Sequence, residues 1–494
     1  MSSCERYIIS IDQSTSTTKG MLFNLRGERV VEASLPHKQY YPKPGWVEHD
    51  PEEIYRNTIG VVSFLINTKN IPEEQILGLT ITNQRETVVV WDRISGKPFY
   101  NAIVWQCLRG TETCEEYRKN GYEDKILEKT GLILDPYFSA SKIKWVVDNV
   151  KPPTDRTLVG TIDSWLIWKL TNGKVHATDY SNASRTMLLN IKNMLWDEEL
   201  LELFGVSPSA MPEIFPSNST FGFTRCGGVL RREVPISGVI GDSQASLFGE
   251  GCFEKGMTKV TYGTGSSIAM NIGFRYINPP KGIVTSIGWG LNRDITYIFE
   301  GNIHATGATI KWLMENLGVI TEMDNIEKMC LSLEDNEGVY FVPAFSGLGA
   351  PYWDNVARGV IYGLTFKTRK EHIIRAAIEA IAYQIRDVLE VLTKNSGIEI
   401  KEIKANGGAT RNNFLMQFQA DILGIPVLRT SIEDMSAFGS FLMGGLGFGV
   451  WDDLKDLKSL LTEKHFDVFS PKFSPEKREM YYGEWKKIVR KALP

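Results

Sequence analysis

The segment from Tyr7 to Asn24, YIISIDQSTSTTKGMLFN, constrains this chain more than any other, because a similar pattern returns as MTKVTYGTGSSIAMN from Met257 to Asn271. Each copy is an apolar, β-rich run, a tight turn of Gly, Ser and Thr, and a second apolar run, which reads as a β-hairpin. The turn of such a hairpin offers backbone N–H groups and hydroxyls to an anion. The first copy adds Asp12 ahead of the hydroxyl cluster Ser14, Thr15, Ser16, Thr17 and Thr18, with Lys19 behind it. A carboxylate for a divalent cation beside donors for phosphate is the mixture that a Mg²⁺-nucleotide requires. A lone hairpin of this kind is ordinarily only a hairpin. Two in one chain point to two phosphate loops facing each other, and so to phosphoryl transfer.

At 494 residues the chain is too long for one core, since single cores stop growing at roughly 250–300 residues. Strands alternate with helices, the mark of a mixed α/β fold. Leu79–Thr82, Thr87–Asp92 and Val234–Ile240 read as strands, the last running into Gly241-Asp242 and a helix. Asp50-Pro51-Glu52-Glu53 and Ser474-Pro475-Glu476 are helix starts, each with a capping side chain and Pro in the first turn. Ile373–Leu392 carries a 3.6-residue apolar stripe that should pack on a sheet. The Gly-rich run Ala437–Trp451 is too short to span a membrane and reads as close helix packing. The hairpins each open about half the chain, which places a boundary near Gly249–Gly251: one domain over 1–250, a second over 251–494. No Pro-rich linker separates them, so they should share a hinge and a cleft.

A net charge of −4 with scattered Lys and Arg argues against a nucleic-acid binder. The six cysteines, Cys4 among them, and the six histidines, His465 among them, lack metal-ligand spacing, so reduced cytoplasmic thiols and no zinc are expected. The polar start Met1–Arg6 runs straight into a strand and reads as no signal peptide. Small-molecule partners remain, without nucleic acid or membrane. Three further features bear on chemistry. Arg85-Glu86 puts a cation and an anion at a strand end, although such neighbours are more often a solvated pair. Trp105 and Tyr137 set aromatics beside polar residues. Asp242 would by default be a helix cap, yet a carboxylate at a strand end facing a phosphate is where a general base belongs.

These pieces together resemble the FGGY carbohydrate kinases, and among them the members that phosphorylate glycerol. The likeness runs almost end to end: the first hairpin, TNQRETVVVWD (Thr82–Asp92), AIVWQ (Ala102–Gln106), YFSASKIKWVVDN (Tyr137–Asn149), NASRTML (Asn182–Leu188), GDSQASLFGE (Gly241–Glu250), YGTG (Tyr262–Gly265), FVPAFSGLGAPYWD (Phe341–Asp354) and GGATRNNFLMQFQADILGIPV (Gly407–Val427). It implies two actin-like and Hsp70-like (ribonuclease H-like) α/β domains closing on ATP and a polyol. By the matching positions, Asp242 is the base and Asp12 belongs to the Mg²⁺ environment. Thr15, Ser16, Thr17, Lys19 and Thr264 lie around the phosphates, and Gly307, Lys311, Gly408 and Asn412 hold the nucleotide. Arg85, Glu86, Tyr137 and Asp242 bond the polyol hydroxyls, with Trp105 against its carbons.

The chain departs from the family pattern in places. Ser243 replaces a Gln after the base, Ser267 stands where an aromatic is usual, Leu108 replaces an Arg, and Ser14 and Asn406 are smaller changes. Ser243 and Ser267 remove bulk from the polyol pocket, which brings a longer polyol or ketose (erythritol, threitol, xylitol, xylulose or ribulose) into view as the acceptor. The loop CGGVLRRE, Cys226–Glu233, lacks the pattern linked to sugar-bisphosphate control. A nucleotide switch with no small-molecule acceptor is the rival from another class, but it would have no reason to keep the polyol residues. A homodimer or homotetramer is compatible with the sequence.

Overall fold

A computed structural model describes residues 5–69, 71–462 and 466–494. Cys4, His465 and most of the polar start lie outside them. The other five cysteines are buried free thiols. No helix among the described residues is long and apolar enough to cross a membrane.

Two large sheets carry the molecule, and each is organised by one of the hairpins. In the first lobe Tyr7–Gln13 pairs antiparallel with Thr17–Asn24 and parallel with Ile76–Asn83, which pairs parallel with Val234–Gly241. In the second, Thr258–Tyr262 pairs antiparallel with Ser266–Gly273 and parallel with Ile403–Asn406, which pairs parallel with Val427–Thr430. The repeat seen in sequence is therefore a repeat of topology. The full sheets have six and seven strands. The strand Tyr7–Gln13 is buried at every position, as expected of a central strand covered on both faces, and its polar residues Ser10, Asp12 and Gln13 are buried with the rest.

The helices form where the sequence signals place them. Asp50 caps Pro51–Lys69 by accepting the Glu52 N–H at 2.9 Å. The stripe on Lys370–Ser396 buries Ile374, Ile378, Ile381, Ile385 and Leu392 against the second lobe's sheet. Ser474 caps Pro475–Ala492, whose Tyr482 and Trp485 both donate to Asp387, at 2.7 and 2.9 Å. One helix crosses over. Met435–Gly447, from the second half of the chain, lies on the first lobe's sheet and on the helix Asp242–Gly249. Its glycines permit the approach, since a Cβ on Gly439 would stand 1.8 Å from the Ala245 carbonyl oxygen.

Candidate active site

Register aligns the strand ends of the first lobe. Gln13 lies opposite Asn83, and Asn83 opposite Gly241. The residues that follow, Ser14, Gln84-Arg85 and Asp242, thus emerge together at the carboxyl edge of the sheet, where α/β proteins bind ligands. The Ser14–Thr17 turn closes by a 2.9 Å bond from the Ser14 N–H to the Thr17 carbonyl. The Trp105 indole donates to the Thr15 hydroxyl at 2.9 Å, and its ring stands edge-on to Tyr137, 5.4 Å between centroids. The Ser14–Thr17 turn and the aromatic pair Trp105–Tyr137 therefore touch. Lys142, buried, holds the Tyr137 loop by donating to the carbonyls of Pro136, Tyr137 and Phe138 at 2.9, 2.6 and 2.8 Å.

Arg85 and Glu86 are buried and not a solvated surface pair. They stand 3.9 Å apart, and each has a closer partner elsewhere. Arg85 donates to Glu300 at 2.6 Å and to Gln244 at 3.0 Å, while Arg185 donates to Glu86 and to Glu300, both at 2.6 Å. Ser286 adds a bond to Glu300 at 2.8 Å. Burial would raise the Glu300 carboxyl, but Arg185 and Arg85 outweigh it and hold it at about 2. Glu300 comes from the second lobe's sheet, so an anion of one lobe orients the cation of the other.

Asp242 opens the helix Asp242–Gly249 and keeps 40% of its side chain exposed. Its Oδ1 accepts the Ser243 N–H at 2.7 Å and lies 3.4 Å from Arg85 Nε. No hydrogen bond is made to Oδ2 among the described residues. Burial raises the Asp242 pKa, Arg85 opposes, and Glu86 adds to the rise. Ser243 and Ser267 meet, hydroxyl to hydroxyl, at 3.1 Å.

The second turn gathers three of the residues predicted to hold the nucleotide. The N–H of Gly307 donates to the Gly263 carbonyl at 2.9 Å and those of Thr306 and Ala308 to the Thr264 carbonyl at 3.0 Å. Gly407, before Gly408, packs so closely on Tyr262 that a Cβ there would stand 2.5 Å from its carbonyl oxygen. Gly307, Thr264 and Gly408 thus belong to one neighbourhood. Three predicted residues are engaged otherwise. Lys19 pairs with Asp434 at 2.5 Å. Asn412 caps the helix Asn413–Leu423 by accepting the Leu415 N–H. Lys311 is 71% exposed and lies 3.7 Å from Glu315. A cavity of about 860 Å³ is lined by Lys19, Arg29, Ser34, Gly408, Arg411 and Asp434.

Among the described residues no three His, Cys, Asp or Glu side chains gather as a metal cage. Asp12 nonetheless suits a cation shared with phosphate oxygens. Its Oδ2 accepts from Ser436 at 2.5 Å, and its buried Oδ1 has no partner. Burial pushes its carboxyl up to about 6, with Ser436 opposing and Asp242 adding. A nearby cation would relieve both defects, and Mg²⁺ typically takes only one or two carboxylates beside substrate phosphates.

The model of the FGGY family of carbohydrate kinases, N-terminal domain, matches residues 7–249, and that of the C-terminal domain residues 258–448. The chain belongs to the FGGY family. It is similar to glycerol kinase 1 of Thermotoga maritima, 52% identical over 99% of both chains, and to the glycerol kinase of Pseudothermotoga lettingae, 48% identical over 99% of both. Among solved structures it is similar to Plasmodium falciparum glycerol kinase with ADP, at a TM-score of 0.94 and 37% identity over 99% of each chain. The xylulose kinase of Lactobacillus acidophilus shares the fold, at a TM-score of 0.89 and 22% identity over 98% of each. As an FGGY kinase the chain is a phosphotransferase with an alcohol group as acceptor, built on the family's two-domain mixed α/β fold.

Sequence reasoning missed Glu300, Gln244, Lys142 and Arg185 as parts of the site. Gln244, Lys142 and Arg185 lie inside segments that resemble the family, with no role assigned to them. Glu300 had no local signal, because its partner Arg85 is 215 residues away.

Proposed function

We propose that this chain transfers the terminal phosphoryl group of ATP to a terminal hydroxyl of glycerol, giving sn-glycerol 3-phosphate and ADP. The observation that carries the reading is Asp242, half open at the strand edge, with Oδ1 fixed by Ser243 and Arg85 and Oδ2 free. Arg85 and Glu86, held by Glu300 and Arg185, orient two hydroxyls of the triol. Trp105 and Tyr137 cover its carbon edge. Asp242 takes the proton of the attacking hydroxyl at Oδ2, and the N–H groups of both turns stabilise charge on the transferred group. Mg²⁺ bound with the nucleotide supplies neutralising charge on the phosphates, and Asp12 is the residue that would hold it.

A coupled ADP-release assay with glycerol, erythritol, threitol, xylitol and ribulose tests the reading, with Asp242→Asn as its control. Glycerol is expected to give the highest kcat/KM, and Asp242→Asn to lower kcat by roughly 10²–10⁴. Turnover of Asp242→Asn near that of the parent would return Asp242 to the role of helix cap. The hydroxyl pair Ser243–Ser267 supports a second reading, acceptance of a longer polyol, which wins if erythritol or xylitol outruns glycerol.

A further inference from the structure

The strand Thr258–Tyr262 sends Val260 and Tyr262 into the second lobe's core, and by the two-residue period of a strand Lys259 and Thr261 face the other way. Thr261 lies opposite Ser267 in the hairpin. The Lys259 ammonium, buried, donates to the Ser243 hydroxyl at 3.1 Å and to the Thr261 hydroxyl at 2.9 Å. Ser243 is the residue whose N–H fixes Asp242 Oδ1 at 2.7 Å. It is thus gripped through its side chain by the second lobe while it grips the carboxylate through its backbone.

A buried ammonium bonded only to hydroxyls is an expensive way to fill space, because desolvation is not offset by a directly paired anion. Arg85, Glu300, Asp242 and Glu250 surround it electrostatically, yet among the described residues none forms an ion pair with it. Packing alone would be served better by methionine. We propose that Lys259 is a positioning residue for phosphoryl transfer: through Ser243 and Thr261 it fastens the start of the Asp242 helix to the second phosphate hairpin, so that base and phosphate turn are seated by one contact. The inference rests on Asp242 being the base.

Steady-state kinetics with glycerol and ATP on the full chain test it. Lys259→Met is expected to lower kcat by about 10–100-fold, the scale of a misplaced reacting group. The KM values for glycerol and ATP should stay within about twofold, because neither substrate is held by Lys259. The melting temperature should be kept or raised, which a merely structural lysine would not allow. Ser243→Ala removes the link, so Lys259→Met with Ser243→Ala should be milder than the product of the two single effects. Parental kcat in folded Lys259→Met, or effects that multiply, would overturn the proposal. If Lys259→Met does not fold, Thr261→Val and Ser243→Ala decide, and parental kcat in both overturns it. Asp242→Asn in the same assay separates the claims: turnover there removes the base, whereas loss there with parental Lys259→Met kinetics removes only the positioning role.

Discussion

Glu86 stands in the left-handed backbone region at φ +59°, a conformation that costs a side-chain-bearing residue of order 1–3 kcal/mol. Arg185 holds its carboxylate at 2.6 Å and Ser139 donates to its carbonyl at 3.2 Å, which together fix this strained backbone. In the sequence Arg85-Glu86 read as adjacent charges at a strand end, assigned to the polyol by family resemblance, with nothing to name their partners. Each has a partner distant in sequence, and long-range pairing leaves no periodicity or spacing to read. Glu300→Gln follows as a test: two guanidiniums lose the anion between them, and removing one partner of a buried pair typically costs about 3–5 kcal/mol. The glycerol KM should rise while that for ATP holds, and equal rises in both would make the network structural only. The pH profile has a definite sign as well. Burial holds the Asp242 carboxyl above its usual range, and the base acts ionised, so kcat/KM should fall as pH drops through that raised value. A profile flat down to about pH 4, the unperturbed range, would remove Asp242 as base.

At the scale of elements, the helix Met435–Gly447 shows both what was legible and what was not. Its glycines announced close packing, but nothing local named the partner, since small residues permit contact without specifying it. The partner proves to be the helix that begins at Asp242, together with the face of the central strands at Ser10 and Thr80, whose hydroxyls bond Ala437 and Ser440. Gly439→Ala tests the contact through its sign. In a helix with no tight neighbour, alanine for glycine stabilises by about 1 kcal/mol. Here the added carbon meets the Ala245 carbonyl, and overpacking typically costs about 1–3 kcal/mol. Thermal unfolding should show a loss, and a gain would mean the helices are not in the described contact.

For the whole molecule, the repeated hairpin foretold two halves, because strand pattern and turn chemistry are local, and the structure adds that each hairpin organises a sheet of like topology. The couplings between lobes were not foretold. One is the link from Asn406, which donates to Ser246 at 3.2 Å and to Glu250 at 2.8 Å, joining the strand before Gly408 to the Asp242 helix. Burial pushes the Glu250 carboxyl up to about 7, with Asn406 opposing. A carboxyl raised above its unfolded value favours folding at low pH, and that contribution is lost as pH rises through about 7. Glu250→Gln should therefore be more stable than the parent at pH 8, with the gap closing toward pH 5 in denaturant titrations. A gap independent of pH would show that Glu250 does not titrate in this window.

The Arg85–Glu300 pair carries a consequence for how such a protein changes over generations. Arg85, which the proposed function places at the acceptor, and Glu300, which holds it, are encoded on both sides of the middle of the gene, so exchanging one half with a relative brings together an arginine and a glutamate that were not selected as a pair. Acceptor preference should consequently be inherited whole, and recombinants joined near residue 250 should fold each sheet yet lose discrimination among alcohols.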